Sequence, residues 1–483
     1  MPRWRRVLLA LLAAAAWLSP ALLPPPERRV PPPPAAPEPP PGPASPRLIV
    51  AYSLESRVQM EQRVPVPCAP PPPPPRAAPG WQQTTHGTHL YSAHYDSRLG
   101  AHHYVRVVAA LEGRDYDNST SLFCQLWFGR RPLVVEALQA ELWLSAWRDD
   151  ASYRPVLLSC PIPREHSSLG HRPRGVALVR RPCAAAGSML AVPAQPPPGA
   201  EPRRKDFAVC VKGLDFPRED ISRRLVEWFE LNMLLGADSF LVYVYSAHRN
   251  VKAVLDRYSR AGVVTQFPLR LPGRLPNSPA ARSRYLRAHV WQRRRTEVVP
   301  YNDCLYRSLR SHRYVVPLDV DEVIVPTSAR TWGELLASLD PAVERSYASI
   351  SARNAYFFDG FPPARESFRY PRHHHALRHT TRSANFSPAG EAVKSFVSTE
   401  RALTVFNHYA LGALDPAVGS SHLLDTSLAQ LNHYKAGCEP LLVRDCEDNF
   451  LRHRVEDTLV LRFADELVAR VEPVLRELGL LPR

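Results

Sequence analysis

From residue 206 to residue 326 the spacing of apolar positions changes period again and again, and each change marks an element. "DFAVCVKGL" (206–214) is an unbroken apolar run, the pattern of a strand buried on both faces. "EDISRRLVEWFELNMLLGA" (219–237) follows. It sets Ile221, Leu225, Trp228, Leu231 and Leu235 on one helical face and stops at Gly236. "SFLVYVY" (239–245) predicts a strand, "NVKAVLDRYSRAG" (250–262) a helix ending at Gly262, and "VVTQFPL" (263–269) another strand. Strands alternating with helices predict an α/β domain whose parallel sheet has right-handed crossovers and binds ligands at the carboxyl ends of its strands. After the helix-like "DCLYRSLRSH" (303–312) comes "YVVPLDVDEVIVP" (314–326), an apolar strand interrupted by Asp319, Asp321 and Glu322. The acids therefore fall at the edge where such sheets bind.

Upstream, residues 47–195 read differently. "HYVRVVAALEG", "SLFCQLWFG", "AELWLSAW" and "YRPVLLSCPIP" are short strand-like runs separated by turn residues, with almost no helical period, which predicts a β-sandwich-type accessory domain. A Pro-rich linker (196–205) closes it and a catalytic domain (206–483) follows. Fourteen prolines lie between Pro20 and Pro46, too many to bury a core, so residues 24–46 form an extended stalk. Before them Arg3, Arg5 and Arg6 precede the uncharged stretch 7–23. That pattern targets a membrane: either a signal-anchor behind a cytosolic tail (1–6), leaving the chain lumenal, or a cleaved signal peptide, which Pro20 and Ala13 to Ala16 permit.

Compartment follows from the cysteines. Eight are widely spread with no CxxC pair, which excludes a zinc ribbon and fits disulfides in a lumenal chain; Cys210 and Cys304 should be buried, paired or as apolar fillers. Asn118 and Asn385 begin glycosylation sequons. The net charge of +15 raises the question of nucleic acid, but only five of the 61 basic residues are lysine and the arginines are dispersed, so no nucleic-acid partner is expected. The tightest run, Arg293 to Arg295, reads as a solvated face or a contact to an anionic sugar or phosphate.

Two carboxylates one residue apart, leaving a strand at the ligand-binding edge, suit an oxygen-coordinated Mn2+ or Mg2+ that holds a diphosphate. Without the ion their like charges repel, so asparagine at either position should leave the metal-free fold equally or slightly more stable. Acids that only cap a turn or pair with arginines forecast the opposite. "DVDEV" also matches the Asp-x-Asp nucleophile of haloacid-dehalogenase-type phosphatases. In that fold the motif sits on the first strand, whereas two βα units precede it here, and no later Gly-Asp-x-x-x-Asp exists.

"CVKGLDF", "LVEWFELNMLLGADSFLVYVYS", "YNDCLYRSLRSHRYVVPLDVDEVIVP", "TWGELL" and "LNHYKAGC", in this order over roughly 205 to 450, together resemble glycosyltransferase family 92, a group of animal and plant Golgi enzymes. The resemblance implies an A-type glycosyltransferase fold, Rossmann-like and mostly parallel, that transfers galactose from UDP-galactose to a glycan acceptor with inversion. It makes Asp319 and Asp321 the acids that bind Mn2+ (or Mg2+) and the UDP diphosphate. Glu322 continues the motif, either orienting the site or facing solvent. A third ligand is expected from histidine: His433 in "LNHYKAGC", ahead of His408 in "VFNHYA". Lys212 and Arg307 are candidates for nucleotide phosphate, as are Asn302 and Asp303, although Asp303 reads equally as a helix N-cap. The acceptor's base is one of Asp359, Glu391 or Glu400. His373 to His375 with His379 read as a polar loop or an adventitious metal binder. Two departures stand out: Gly213 replaces an expected proline, and "KSFVSTERA" lacks an expected arginine near Ser398.

Two functions follow, a Golgi type II galactosyltransferase and a lumenal glycan-binding protein that keeps the fold without turnover.

Overall fold

The computed structural model describes residues 80–84, 87–113, 121–143, 152–194, 204–438 and 446–481. The stretch 7–23, the stalk, Asn118 and nearly all of the linker lie outside the described residues. Among the described residues no helix is long and apolar enough to cross a membrane.

The expected β-rich region is present as two antiparallel sheets. One runs β1 (Gln82–Gln83), β2 (Thr88–Leu99), β3 (His102–Glu112), β7 (Tyr153–Ile162), β6 (Leu138–Glu141); the other runs β5 (Pro132–Glu136), β4 (Phe123–Trp127), β8 (Gly175–Val179), β9 (Leu190–Ala191). A disulfide joins Cys124 on β4 to Cys160 on β7. Side chains alternate along a strand, and β3 uses both faces. Val105, Val107, Ala109 and Leu111 fill the core between the sheets, while Val108 faces a second core shared with the catalytic region, alongside Trp143, Leu157, Val298 and Phe406. The two regions are therefore fused through common apolar packing.

The catalytic region opens with β10 (Lys205–Phe216), α1 (Ser222–Leu235), β11 (Ser239–Ala247), α2 (Arg249–Arg260) and β12 (Val264–Pro268), as the periodicity predicts. Gly236 ends α1 at a φ of 117°, and Gly262 follows α2 at 73°, both left-handed conformations that favour glycine. α3 (Val290–Ser308) is longer than the sequence indicated, because it continues through Pro300. It also corrects the arginine run: Arg295 is buried over the Trp143 ring, and Arg294 pairs with Glu297 at 3.3 Å. β13 (His312–Pro317) then lies on the other side of β10, so the parallel strands run β12-β11-β10-β13 and the winding reverses between β10 and β13. That reversal opens the crevice where such sheets bind ligands.

The rest of the sheet is mixed rather than parallel: β17 (Lys394–Ser398) is antiparallel to both β13 and β15 (Ser349–Phe358), and β21 (Ala429–Lys435) is parallel to β15 and antiparallel to β14 (Glu322–Pro326). Smaller pairs are β16 (Thr381–Ser383) with β22 (Arg454–Glu456), β18 (Ala402–Val405) with β19 (Ala410–Ala413), and β20 (His422–Leu423) on β15. β14 lies four strand positions from β13, about 19 Å across a flat sheet. Yet the chain joins them through a tight turn in which Glu322 N–H donates to Asp319 O at 3.0 Å. The sheet must curl for both to hold. Curling brings β14 and β21 back under the end of β13, and the acids sit in that fold.

Candidate active site

Lys212 enters the crevice from β10 at a break in the ladder between Val211 and Leu214. Beside it, a Cβ on Gly213 would lie 2.3 Å from the Tyr245 ring and 2.8 Å from Leu269. Any side chain there would force the strand off its neighbours, which accounts for glycine at this position. Lys212 Nζ reaches Asp319 Oδ2 at 3.1 Å and Glu297 Oε2 at 3.2 Å. A disulfide between Cys210 on β10 and Cys304 on α3 pins strand to helix, and both cysteines are fully buried.

Asp319 leaves the end of β13. Lys394, at the start of β17 and 2% exposed, lies 3.6 Å from Asp319 Oδ2 and 3.0 Å from Glu322 Oε2, and the Tyr301 hydroxyl donates to Asp319 Oδ1 at 3.3 Å. Burial acts to raise the Asp319 carboxyl's pKa, but Lys212 and Lys394 outweigh it and hold it well below the usual carboxylate range. Burial likewise acts to deprotonate Lys394; Asp319 and Glu322 overcome that and keep the ammonium charged. The acids are thus not a bare repelling pair, contrary to the expectation from sequence. Glu297 joins the network from α3, its carboxyl also held low against burial by Lys212 and Arg294.

Asp321 is the open acid, with its side chain 35% exposed. Register places His433 on β21 directly opposite Glu322 on β14. One ring nitrogen of His433, Nε2, faces Asp321 Oδ2 at 3.5 Å; the other, Nδ1, faces Glu322 Oε1 at 3.6 Å and the Asn354 side-chain amide at 3.3 Å. Burial would raise the Asp321 carboxyl, and His433 holds it below its ordinary value. Glu322 is buried and accepts from the Asp319 N–H at 3.0 Å, so it orients the turn and the imidazole from beneath rather than meeting solvent or substrate. A carboxylate and an imidazole facing one another at the crevice, the imidazole backed by a second carboxylate, form a donor set that fits a divalent ion.

Other expected residues sit elsewhere. Asn302 and Asp303 are fully buried: Asn302 bonds Val298 O, Val405 O and Val405 N–H, and Asp303 accepts from His94, Tyr243 and Arg307. Neither side chain is free for a nucleotide: Asn302 ties α3 to β18, and Asp303 ties it to His94 of the β-rich region. Arg307, in the last turn of α3, is paired to Asp303 at 2.6 Å and packs on Phe267 of β12, the edge strand three positions from β13. Glu400 lies at the opposite end of the sheet from the acid turn, beside the start of β13 and paired to Arg204 at 2.6 Å, and cannot serve as the base. Glu391 is exposed at the site edge, three residues before Lys394. Asp359, just past β15, is on this edge too, but faces His379 Nε2 at 3.1 Å and His375 Nε2 at 3.7 Å. His408 donates from Nδ1 to Val393 O at 2.9 Å, and burial next to Lys394 lowers its pKa to about 3; among the described residues no carboxylate pairs with it.

The model of glycosyltransferase family 92 matches residues 205–461, more than half the chain. The chain belongs to glycosyltransferase family 92. The matched segment begins at β10 and carries Lys212, the acid turn, Lys394 and His433, so the crevice lies within the matched region. No curated protein matches it. Among solved structures, the apo form of WbbM, a bifunctional glycosyltransferase, aligns at 11% identity and a TM-score of 0.19, covering 45% of this chain and 36% of its own. The alignment thus spans about a third of that protein's length.

Proposed function

We propose that this family 92 member transfers galactose from UDP-galactose to a glycan acceptor, with inversion, using Mn2+ at Asp319, Asp321 and His433. One observation carries the reading: at the winding reversal, Lys212 from β10 and the acid turn after β13 converge with His433 within ion-pair distances. When bound, the ion would neutralise charge developing on the departing diphosphate. The chain's own residues do the rest. Asp321 and His433 offer the outward donors, Glu322 and Asn354 hold the imidazole, and Lys212 stands where a phosphate oxygen can replace the Asp319 carboxylate as its partner. The uncharged stretch 7–23 behind its arginines, together with three disulfides among the described residues, supports a Golgi lumenal placement as a type II protein.

The rival reading, a glycan-binding protein without turnover, is favoured by the two lysines that already neutralise Asp319. Thermal melts and donor hydrolysis separate the two. Mn2+ with UDP should stabilise the full-length protein by about 2.7 kcal/mol at a hundredfold excess over Kd, UDP-galactose should be hydrolysed only with the ion, and Asp321→Asn should lose both effects. Stabilisation without hydrolysis would favour the rival, and an equal shift in Asp321→Asn would remove the metal from this site.

A further inference from the structure

The histidine tract expected to be a polar loop is a built element. α4 (His375–Arg378) is four residues long, too short to persist by itself. Its first turn is held from below by Glu227 of α1, which accepts the Ala376 N–H at 2.9 Å. His373 and His374 are committed elsewhere, with both Nε2 atoms on Glu472 Oε1 at 2.9 and 3.4 Å, on the helix α5 (Ala464–Glu477). That leaves His375 and His379. Four residues apart, they share a face, and their rings stack with centroids 3.9 Å apart.

Both present Nε2 to the same atom, Asp359 Oδ1, at 3.7 and 3.1 Å. Tautomers decide what this means. His379 Nδ1 lies 2.8 Å from His375 O, a carbonyl that only accepts, so the ring hydrogen of neutral His379 is on Nδ1. Its Nε2 then points a lone pair at a carboxylate oxygen, a repulsive arrangement that a proton on that nitrogen or a cation between the two relieves. Protonating both stacked rings would set two positive charges side by side. A shared divalent ion satisfies all three groups at once.

We propose that Asp359, His375 and His379 form a second cation site, separate from the acid turn, that takes a late first-row divalent ion such as Zn2+ with one position open to water. Their ligand atoms lie within 4.8 Å of one another, and two imidazoles with one carboxylate suit Zn2+ where the oxygen-rich acid turn suits Mn2+. The Tyr434 ring walls the pair edge-on at 5.5 and 6.1 Å, while its N–H donates to Asp321 O at 2.9 Å, so the second site abuts the first. The proposal stands on this geometry and not on the glycosyl-transfer reading.

Tag-free full-length protein, disulfides intact and stripped with chelator, is titrated with Zn2+ by calorimetry and with Co2+ by visible absorption. Wild type should bind one equivalent at this site and give the intense d–d bands of a low-coordinate Co2+. Asp359→Asn and His379→Ala should each weaken Zn2+ at least about tenfold, the low end even for outer-sphere changes, and lose the bands, while Asp321→Asn keeps them. Asp359 is half-exposed, so its amide variant folds whatever becomes of α4. The proposal is overturned if wild type takes up no ion, if Asp359→Asn binds as tightly as wild type, or if Asp321→Asn abolishes the bands.

Discussion

Two clusters in this protein use the same chemistry, an aspartate with a histidine and a long cation, and put it to opposite ends. At Asp303 every partner is in place: His94 at 3.0 Å, Tyr243 and Arg307 at 2.6 Å each, and a carboxylate with no exposure. At Asp321 the carboxylate is a third exposed and the ring nitrogen that faces it, on His433, stands off at 3.5 Å. Both carboxyls are held below their ordinary pKa against burial, Asp303 by His94 and Arg307 and Asp321 by His433. Depressed titration therefore does not tell a site from a strut. Unfilled coordination at a crevice does.

The sharpest way to break this comparison is to remove each charge in turn. Asp303→Asn takes the common partner from a buried network that ties α3 to β2 and should cost about 3 kcal/mol or more in urea unfolding. Its turnover should fall only as far as the unfolded fraction requires. Asp321→Asn should leave stability within about 0.5 kcal/mol and reduce donor turnover on the order of a hundredfold or more. A folded but inactive Asp303→Asn, or an Asp321→Asn that unfolds as readily, would erase the distinction.

Sequence periodicity sufficed for β10 to β13 because each element carries its own apolar face and its own stop, and the place of Asp319 at the strand edge follows from that alone. The partners of Asp319 were less legible. Lys394 arrives on β17, a late antiparallel strand whose pairing no local pattern announces, so its sequence shows only a missing arginine. Tyr301 and Glu297 were hidden by Pro300, which reads as a helix stop but lies inside α3. Once the helix is extended, Glu297 and Tyr301 fall four apart on one face, while Asn302 and Asp303, turned by about 100° and 200°, face away. A neighbour in sequence on a helix is not a neighbour in the site.

The second test concerns the closed half of the acid turn and reverses an expectation drawn from sequence. Asp319→Asn removes a carboxylate whose folded pKa lies below the unfolded value of about 3.9. A depressed folded pKa gives stability that is fully present above the unfolded value and is lost as pH falls toward the folded one. The variant should therefore be less stable than wild type by about 1–3 kcal/mol at neutral pH, and the gap should close below about pH 4. Urea titrations at descending pH measure it. A variant equal to or more stable than wild type at neutral pH would restore the picture of two acids that repel without an ion.

The smallest effect asks whether the open site also stores strain that the closed network does not. Among the described residues the positive-φ residue other than glycine is Ala392, at 51°, two residues before Lys394 and next to exposed Glu391. Alanine in this conformation costs about 1–2 kcal/mol, and glycine there would relieve it while losing about 0.4–1 kcal/mol to a freer unfolded chain. Ala392→Gly should thus gain roughly 0.5–1 kcal/mol in urea unfolding, the difference of those two terms. If the bend holds Lys394 against Asp319 and Glu322, the same change frees the segment that aims the ammonium, and donor KM should rise even as stability does. Higher stability with unchanged KM would mean the strain is incidental. A loss of stability would mean that Ala392 is not strained and that the loop is held by contacts its methyl group makes.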